Sequence, residues 1–233
     1  MIDWHSHILP NMDDGSHSVA ESISLLNLER SQGVSVVVAT PHFYANDESV
    51  DSFLSRRTVA MNKLKADTTD GLPQIILGAE VKYYHGVSRM EGLSSLRIEG
   101  TKLLLLEMPL SKWTEFMIRE LFELSAKSGI QVVLAHVERY WKLQDHSTWA
   151  RLSECGIMFQ ANASFFASFS SRRRAISLLK DGKIHIIGSD CHNLTSRPPN
   201  LAKAFDIIRK KLGNEYVTQM NEYGDFLLEA IRQ

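Results

Sequence analysis

The sequence predicts an α/β protein whose parallel strands close into a barrel of about seven units. Three observations support this fold class. Short runs of apolar β-forming residues recur along the chain, and such runs are typical of strands covered on both faces. Amphipathic segments with helical spacing lie between several of the runs. Glycines precede several strands, at the positions where a helix would end.

Each predicted strand is short and almost continuously apolar, so it should be buried on both sides. In chain order the strands are expected at 1–5, 34–40, 74–80, 102–108, 130–136, 157–163 and 184–190. Strands separated by helices are expected to pair in parallel, because the intervening helix returns the chain to the same end of the sheet.

The predicted helices repeat apolar residues at spacings of three and four. They are expected at 18–32, 50–66, 113–128 and 199–212, followed by a C-terminal helix at 214–231. Gly33, Gly129, Gly156 and Gly182 are the expected helix-ending residues. There is no linker, low-complexity tract or internal repeat, so residues 1–233 are predicted to form a single domain.

Composition excludes several classes of protein. The net charge of −1 provides no general attraction for nucleic acid or an anionic membrane. No apolar stretch approaches the ~20 residues that cross a bilayer, and the N-terminus is too short and polar for a signal peptide. Only two cysteines are present, Cys155 and Cys191, which favours a reducing cytoplasm over a disulfide framework.

Metal-ligand side chains follow the predicted strands at their carboxyl ends. Because strand carboxyl ends meet on one face of a barrel, these residues should converge there. They are His5, His7, Asp14, His42, Glu80, Glu107, His136, Asp190 and His192. Nine carboxylates and imidazoles at one place require compensation, and divalent cations would supply it. Nitrogen and oxygen ligands suit Mn, Fe or Zn, and nine ligands predict two or three ions.

Other residues of the same types have simpler explanations. Asp13 is adjacent to Asp14, and one of the two is expected to serve the turn that Gly15 makes. The remaining histidines are expected to be ordinary core or surface residues: His17, His85, His146 and His185. Four aromatic residues could line a groove at the mouth: Phe43, Tyr44, Tyr140 and Phe165.

The spacing of Cys191 and Arg197 matches Cys-x5-Arg, the pattern of thiolate phosphatases. A phosphate-binding loop of that kind uses glycines to turn its amides inward, and HNLTS contains none. If Asp190 and His192 face the metals, Cys191 must point the other way on an extended chain. Cys191 is therefore predicted to be an inert core residue.

The motifs DWHSHILPNMDDG, ATPHF, LGAE, LLLLEM, AHVERY and SDCHNLTSRPP occur in family order between residues 2 and 199. With them the chain resembles the PHP (polymerase and histidinol phosphatase) superfamily. Within it, the chain is similar to bacterial manganese-dependent protein tyrosine phosphatases of capsule and exopolysaccharide operons. The resemblance implies a distorted, TIM-like (β/α)7 barrel (the PHP fold) and a trinuclear centre on the same nine ligands. It also implies phosphate-contacting arginines at Arg139 and Arg197. Residues 43–70 and the loop 163–173 match nothing specific.

The resemblance implies hydrolysis of phosphotyrosine in a protein. A water that bridges two metals can supply hydroxide near neutral pH. His42 and His192 are the candidates for a general acid. Manganese is the expected metal, with iron, cobalt and zinc as alternatives. The implied substrate is the tyrosine-rich tail of a membrane-bound polysaccharide-assembly kinase.

Three alternatives stay open at this point. One is a small-molecule phosphomonoesterase such as histidinol-phosphate phosphatase, one a nuclease, and one a scaffold without activity. The filled ligand positions argue against a scaffold, and the absence of a basic stripe argues against a nuclease. The run Arg172–Arg174 is either a solvated helix face or a patch for acidic substrates.

Overall fold

The computed structural model describes residues 1–68, 70–127 and 129–229, in which parallel strands alternate with helices. The strands are β1 (Ile2–Ser6), β2 (Val36–Ala39), β3 (His42–Phe43), β4 (Gln74–Leu77), β5 (Glu80–Lys82), β6 (Leu103–Glu107), β7 (Gln131–Leu134), β8 (Met158–Asn162) and β9 (Ile186–Gly188). The helices are α1 (Val19–Ser31), α2 (Val50–Asp67), α3 (Glu115–Ser125), α4 (His146–Glu154), α5 (Ala163–Ala167), α6 (Arg172–Lys180), α7 (Leu201–Leu212) and α8 (Asn214–Glu229). Every strand pair is parallel.

Two positions in the sheet are each filled by a pair of short strands that follow one another along the chain. The hydrogen-bonded order is β1-β2-β4 in one sheet and β3-β5-β6-β7-β8-β9 in the other. The two sheets are continuous, because Gly78 N donates to Ala39 O at 2.8 Å and Glu80 N donates to Pro41 O at 3.0 Å across the interruptions. β2 with β3, and β4 with β5, therefore each occupy one strand position.

The sheet curls until its first and last strands meet. His7 N donates to Cys191 O at 2.9 Å, and Asp190 N donates to His5 O at 2.8 Å. Seven strand positions thus follow one another around a closed parallel ring. This confirms the predicted α/β barrel-like fold class.

Alternate residues of the strands form two apolar layers. The inner cluster contains Ile2, Trp4, Val38, Leu103, Leu105, Val133, Met158 and Ile186. Leu227 and Leu228 of α8 pack against it. The intervening residues, such as Leu104 and Leu106, belong to the larger cluster that the surrounding helices share. This alternation is what a parallel barrel covered by helices requires.

Side-chain caps fix the start of four helices. Ser18, Ser49, Thr114 and Asp145 accept hydrogen bonds from the backbone N–H groups of Glu21, Ser52, Met117 and Thr148, at 3.1, 3.2, 3.3 and 2.8 Å. The four glycines expected to end helices all have positive φ, between 66° at Gly182 and 82° at Gly129. The prediction that these glycines follow helix ends is therefore confirmed.

The structure corrects the predicted elements in several places. Residues 163–173 are not a loop, because α5 and the start of α6 lie there, and α4 was also missed. These helices contain only five to nine residues, too few for a periodic pattern to stand out.

The helix predicted at 113–128 is α3, and residue 128 lies outside the described residues. The helix predicted at 214–231 is α8, and residues 230 and 231 lie outside them as well. Among the described helices, none is both long and apolar enough to span a bilayer.

A pair of carboxyl groups is buried between β1 and α1. Asp3 and Glu29 both have 0% exposure. Asp3 accepts hydrogen bonds from Ser189 N and from Ser189 Oγ, at 2.7 and 2.5 Å. Within the described residues, neither oxygen of Glu29 has a hydrogen-bond partner. Burial, reinforced by the charge of Asp3, raises the pKa of Glu29 to about 10.

We expect Glu29→Gln to stabilise the metal-free protein at alkaline pH. Between the usual pKa of 4.5 and about 10, the folded protein keeps a proton on Glu29 that the unfolded chain has released. The free energy of unfolding therefore falls as pH rises through that range. Glutamine removes this loss, and we expect a gain of about 1–3 kcal/mol at pH 8.

Thermal unfolding of wild type and Glu29→Gln at pH 6 and pH 9 measures the effect. Glu154→Gln, which changes an exposed glutamate, is the control. Parallel pH profiles for wild type and Glu29→Gln would show that Glu29 does not hold the proton.

Candidate metal centre

The histidines of β1 aim at a single point with Glu80 and Asp190. His5 Nε2 and His7 Nε2 are 3.1 Å apart. Glu80 Oε2 lies 3.3 and 3.4 Å from these two nitrogens, and Asp190 Oδ1 lies 3.7 and 3.5 Å from them. All four residues are buried. The pairing of β1 with β2 shifts register between Asp3 and Ser6, and such irregularities re-aim side chains beside functional sites.

A second group of ligand atoms lies beside the first. His7, Asp14, His42 and His192 each contribute one ligand atom, and these atoms lie within 4.8 Å of one another. Asp14 Oδ1 is 3.5 Å from His42 Nε2 and 3.3 Å from His192 Nε2. Asp14 is exposed, whereas the three imidazoles are buried or nearly so. This group therefore forms the solvent side of the centre.

Glu80 connects the remaining residues to both groups. His42, Glu80 and Glu107 form a third set with ligand atoms within 4.8 Å. Glu80 Oε1 lies 2.8 Å from His136 Nε2, and Glu80 Oε2 lies 2.9 Å from His42 Nδ1. Although burial opposes its ionisation, the surrounding imidazoles, led by His5, hold the pKa of Glu80 well below its usual range. The structure thus brings all nine predicted ligands to one end of the barrel.

Two of these residues have strained backbones. Among the described residues, Asn11, His136 and Asp190 are the non-glycines with positive φ, at 56°, 33° and 54°. A positive φ is costly for a side-chain-bearing residue and persists where the surrounding structure enforces it. His136 and Asp190 each follow the end of a strand, so this conformation turns their side chains into the mouth.

The donor set fits divalent cations. Within the described part of the chain, His42 Nδ1 and His192 Nε2 are buried without a hydrogen-bond partner, although carboxylate oxygens lie 2.9 and 3.3 Å away. Converging nitrogen and oxygen atoms that do not bond one another are what cation binding requires. Because no sulfur is among them, a structural thiolate site is a poor fit.

The structure also shows residues that hold the ligands in place, a role that the sequence did not predict for them. Asp13 Oδ2 accepts from His7 Nδ1 at 2.7 Å and from His42 N at 2.8 Å. Asp13 Oδ1 also accepts from Gly15 N at 3.0 Å, so Asp13 makes the predicted turn and Asp14 faces the mouth. Orienting bonds of this kind fix the tautomer and direction of a metal-binding imidazole.

β8 contributes two further supporting residues. Gln160 Oε1 accepts from His136 N at 2.6 Å and lies 3.3 Å from His5 Nδ1. Asn162 Nδ2 donates to Asp190 Oδ2 at 2.7 Å. The signal was present in the sequence as QAN, two polar residues two apart at the end of an apolar run.

Both predicted arginines form ion pairs with Asp190. Arg139 Nη2 is 2.7 Å from Asp190 Oδ2, and Arg197 Nη2 is 2.7 Å from Asp190 Oδ1. Each arginine side chain is 38% exposed. Together they line a cavity of about 290 Å³, which we call the anion pocket; its wall also includes Asn162, Asp190, Ser196 and Asn200. The arrangement offers guanidinium groups to an anion at the mouth.

The loop between Cys191 and Arg197 is not built to hold phosphate. The backbone N–H groups of Thr195, Ser196 and Arg197 all donate to Asn193 Oδ1, at 3.0, 2.8 and 3.1 Å. These amides are therefore already engaged. Cys191 itself is fully buried, and burial raises the pKa of its thiol well above the usual value.

We expect Cys191→Ser to keep turnover within about threefold of wild type and to keep its metal content. The thiol is inert because burial disfavours the thiolate that nucleophilic attack would need. Steady-state kinetics with elemental analysis measures both quantities, and Cys155→Ser at an exposed site is the control. Loss of turnover with metal intact would restore the thiolate mechanism.

The other predicted residues lie outside the ligand groups, although Tyr140 Oη is 3.2 Å from the ligand residue His136 at Nδ1. His17, His85, His146 and His185 belong to none of the ligand groups formed by the described residues. His185 Nδ1, for example, accepts from Phe159 N at 3.0 Å. Phe43 and Tyr140 are buried and so do not line a groove, contrary to expectation. Tyr44 is 40% exposed beside His42, and Phe165 lines a surface cavity.

A family model described as "Capsular polysaccharide synthesis, CpsB/CapC" matches residues 1–223. The tyrosine-protein phosphatase CpsB of Streptococcus pneumoniae is 33% identical over 230 residues, covering 91% of each chain. The tyrosine-protein phosphatase YwqE of Bacillus subtilis is 30% identical over 234 residues, covering 98% of this chain and 91% of YwqE.

A crystal structure from a study of these two proteins, described as "unique metal-dependent tyrosine phosphatases", has a similar fold. The TM-score is 0.81 at 26% identity, and the match covers 98% of this chain and 94% of the other.

Proposed function

This chain belongs to the CpsB/CapC family of capsular polysaccharide synthesis, and we propose that it is a metal-dependent phosphatase that removes phosphate from phosphotyrosine in proteins. One observation carries the proposal: ligand residues from the strand ends converge on Glu80, beside an anion pocket with two arginines. The relatives named tyrosine-protein phosphatases support the substrate class.

The nine converging residues would hold two or three divalent ions. Glu80 lies between the groups and is suited to bridge, whereas Asp14 and His192 lie on the solvent side. Bound cations would lower the pKa of a water molecule to near neutrality and would neutralise charge on the phosphoryl oxygens. We propose manganese as the metal, with iron, cobalt and zinc as alternatives, because nitrogen and oxygen donors suit all of them.

The protein's own groups would orient the phosphate. Asp190 pairs with the Nη2 atom of each arginine, and this directs both guanidinium groups to the mouth. Each guanidinium group keeps further N–H donors for the anion. A phenolate leaving group needs less protonation than an alkoxide, and His42 and His192 are the nearest candidates to supply a proton.

The same proposal includes the setting of the reaction. We propose that residues 1–233 act as one PHP phosphatase domain in the cytoplasm. The proposed partner is the tyrosine-rich tail of a membrane-bound kinase that controls polysaccharide assembly, and support comes from the family's link to capsule synthesis. An open mouth with an exposed tyrosine, Tyr44, favours a protein substrate over an enclosed small molecule.

We expect complete removal of metal to lower kcat/KM on a phosphotyrosyl peptide by more than about 10³-fold, because both the nucleophile and the charge neutralisation depend on the ions. Readdition of Mn²⁺ should restore the rate. The assay compares chelated, reloaded and untreated protein on this peptide and on histidinol phosphate. Full activity after stripping would overturn the metal mechanism, and a higher kcat/KM on histidinol phosphate would favour the small-molecule phosphatase.

A further inference from the structure

The three consecutive arginines at the start of α6 have different environments. Arg172 donates from Nε to Phe166 O at 3.3 Å and from Nη2 to Ala167 O at 3.1 Å, so it joins α6 to α5. Arg173 and Arg174 are exposed. Within the described residues, neither forms an ion pair with a carboxylate. The first of the three is therefore structural and the other two are available.

The position of these arginines opposes helix stability. The N-terminal end of a helix carries partial positive charge, so cations in the first turn are unfavourable and acids are favoured there. α6 begins at Arg172, and its first turn contains no acidic residue among the described side chains. Arg173 and Arg174 therefore do not stabilise their own helix and remain available to bind an anion.

Arg173 and Arg174 line a large groove of about 1020 Å³, which we call the α6 groove. Arg139 and Lys142 contribute two more cations to it. The apolar part of its wall is formed by Trp141, Leu143, Phe165 and Leu178. Among the described lining residues, the one acid is Glu138. The groove therefore combines an excess of positive charge with an apolar wall.

The α6 groove adjoins the anion pocket directly. Glu138 and Arg139 line both cavities, so the two cavities are neighbours on the surface. A peptide in extended conformation advances about 3.3 Å per residue. Residues that flank a phosphotyrosine in the anion pocket would thus extend past Glu138 and Arg139 towards Arg173 and Arg174.

We propose that the α6 groove binds an acidic segment of the substrate polypeptide, next to the phosphotyrosine that enters the anion pocket. This inference rests on the proposed function for the identity of the reacting residue. Charge complementarity favours carboxylate side chains at Arg173 and Arg174. The concave shape favours a peptide over the flat surface of a membrane, and the apolar wall accepts the uncharged side chains between the acids.

Two phosphotyrosyl peptides that differ only in flanking residues test the proposal. One carries three glutamates on each side of the phosphotyrosine and the other carries glutamines. At low salt we expect wild type to show about tenfold higher kcat/KM on the glutamate peptide, mainly through KM. In Arg173→Ser/Arg174→Ser the advantage should fall below about twofold, with hydrolysis of p-nitrophenyl phosphate unchanged.

Lys210→Ser/Lys211→Ser is the matched control, because it removes the same charge from exposed positions of another helix, α7. This variant should keep the preference for the glutamate peptide. Fluorescence anisotropy of the unphosphorylated glutamate peptide provides a readout without catalysis, and Arg173→Ser/Arg174→Ser should weaken that binding about fivefold or more.

The outcomes separate this inference from the proposed function. If no phosphotyrosyl peptide is hydrolysed but the acidic peptide binds through Arg173 and Arg174, the proposed reaction is wrong, whereas the proposed binding by the α6 groove is supported. Equal kcat/KM on both peptides, or equal losses in the two double variants, would overturn the groove. Binding to phosphatidylglycerol vesicles that depends on Arg173 and Arg174, without any peptide preference, would also overturn it.

Discussion

Glu80→Gln is expected to lower kcat/KM on a phosphotyrosyl peptide by at least about 10³-fold and to reduce the metal content. The loss follows from geometry, because Glu80 lies within 3.4 Å of a ring nitrogen of His5, His7, His42 and His136. Glutamine keeps the size of the side chain and removes the negative charge that binds cations. Losing the contribution of a metal ion costs several kcal/mol, which is about 10³-fold in rate.

The measurement combines steady-state kinetics with elemental analysis of the purified variant. Glu120→Gln is a matched control, since Glu120 is also a buried glutamate, accepts hydrogen bonds from Tyr83 and Gly86, and belongs to none of the ligand groups formed by the described residues. It should lower stability without changing metal content. If Glu80→Gln kept its ions and its rate, Glu80 would have a structural role only.

Replacing Arg139 and Arg197 with lysine is expected to raise KM and lower kcat/KM by about 10- to 100-fold for each change. Lysine keeps the positive charge but cannot bond Asp190 and an anion with one planar group. The inhibition constant of inorganic phosphate should rise by a similar factor. Arg151→Lys is the control, because the Arg151 side chain is 40% exposed and pairs with Glu115 rather than with Asp190.

The arginines have two roles that this experiment separates. Both hold Asp190, so a lysine variant could fail because Asp190 moves. In that case metal content would fall along with activity. If ions are retained while phosphate inhibition weakens, the arginines bind the anion. An unchanged inhibition constant would contradict their predicted contact with phosphate.

The ligand residues could be predicted from the sequence because a barrel brings the carboxyl ends of its strands together, whatever the length of the loops between them. The orientation of residues in the loops was harder to predict. Asp13 and Asp14 are adjacent and chemically identical, and only the turn at Gly15 decides which one faces the mouth. His136 and Asp190 have positive φ, and although Asp and His are enriched among non-glycine residues in this region, that preference does not tell which of them in a chain adopt it.

Supporting residues were missed for a related reason. Gln160 and Asn162 are polar but carry no charge and are not common metal ligands, so a search by chemistry passes over them. The three helices at 146–154, 163–167 and 172–180 were missed because tertiary packing stabilises such short segments more than their periodicity does. As a result the α6 groove could not be anticipated from the run of arginines alone.

The contact between the first and last strands has a consequence for assembly. His5 and Asp190 are hydrogen-bonded neighbours in space and lie 185 positions apart in a chain of 233 residues. A chain emerging during synthesis therefore cannot assemble the complete set of nine ligand residues until His192 has been made. Ions bound by residues from both the first and the last strand would hold these two strands together in the closed barrel. Because they bind the folded form alone, they would slow its opening.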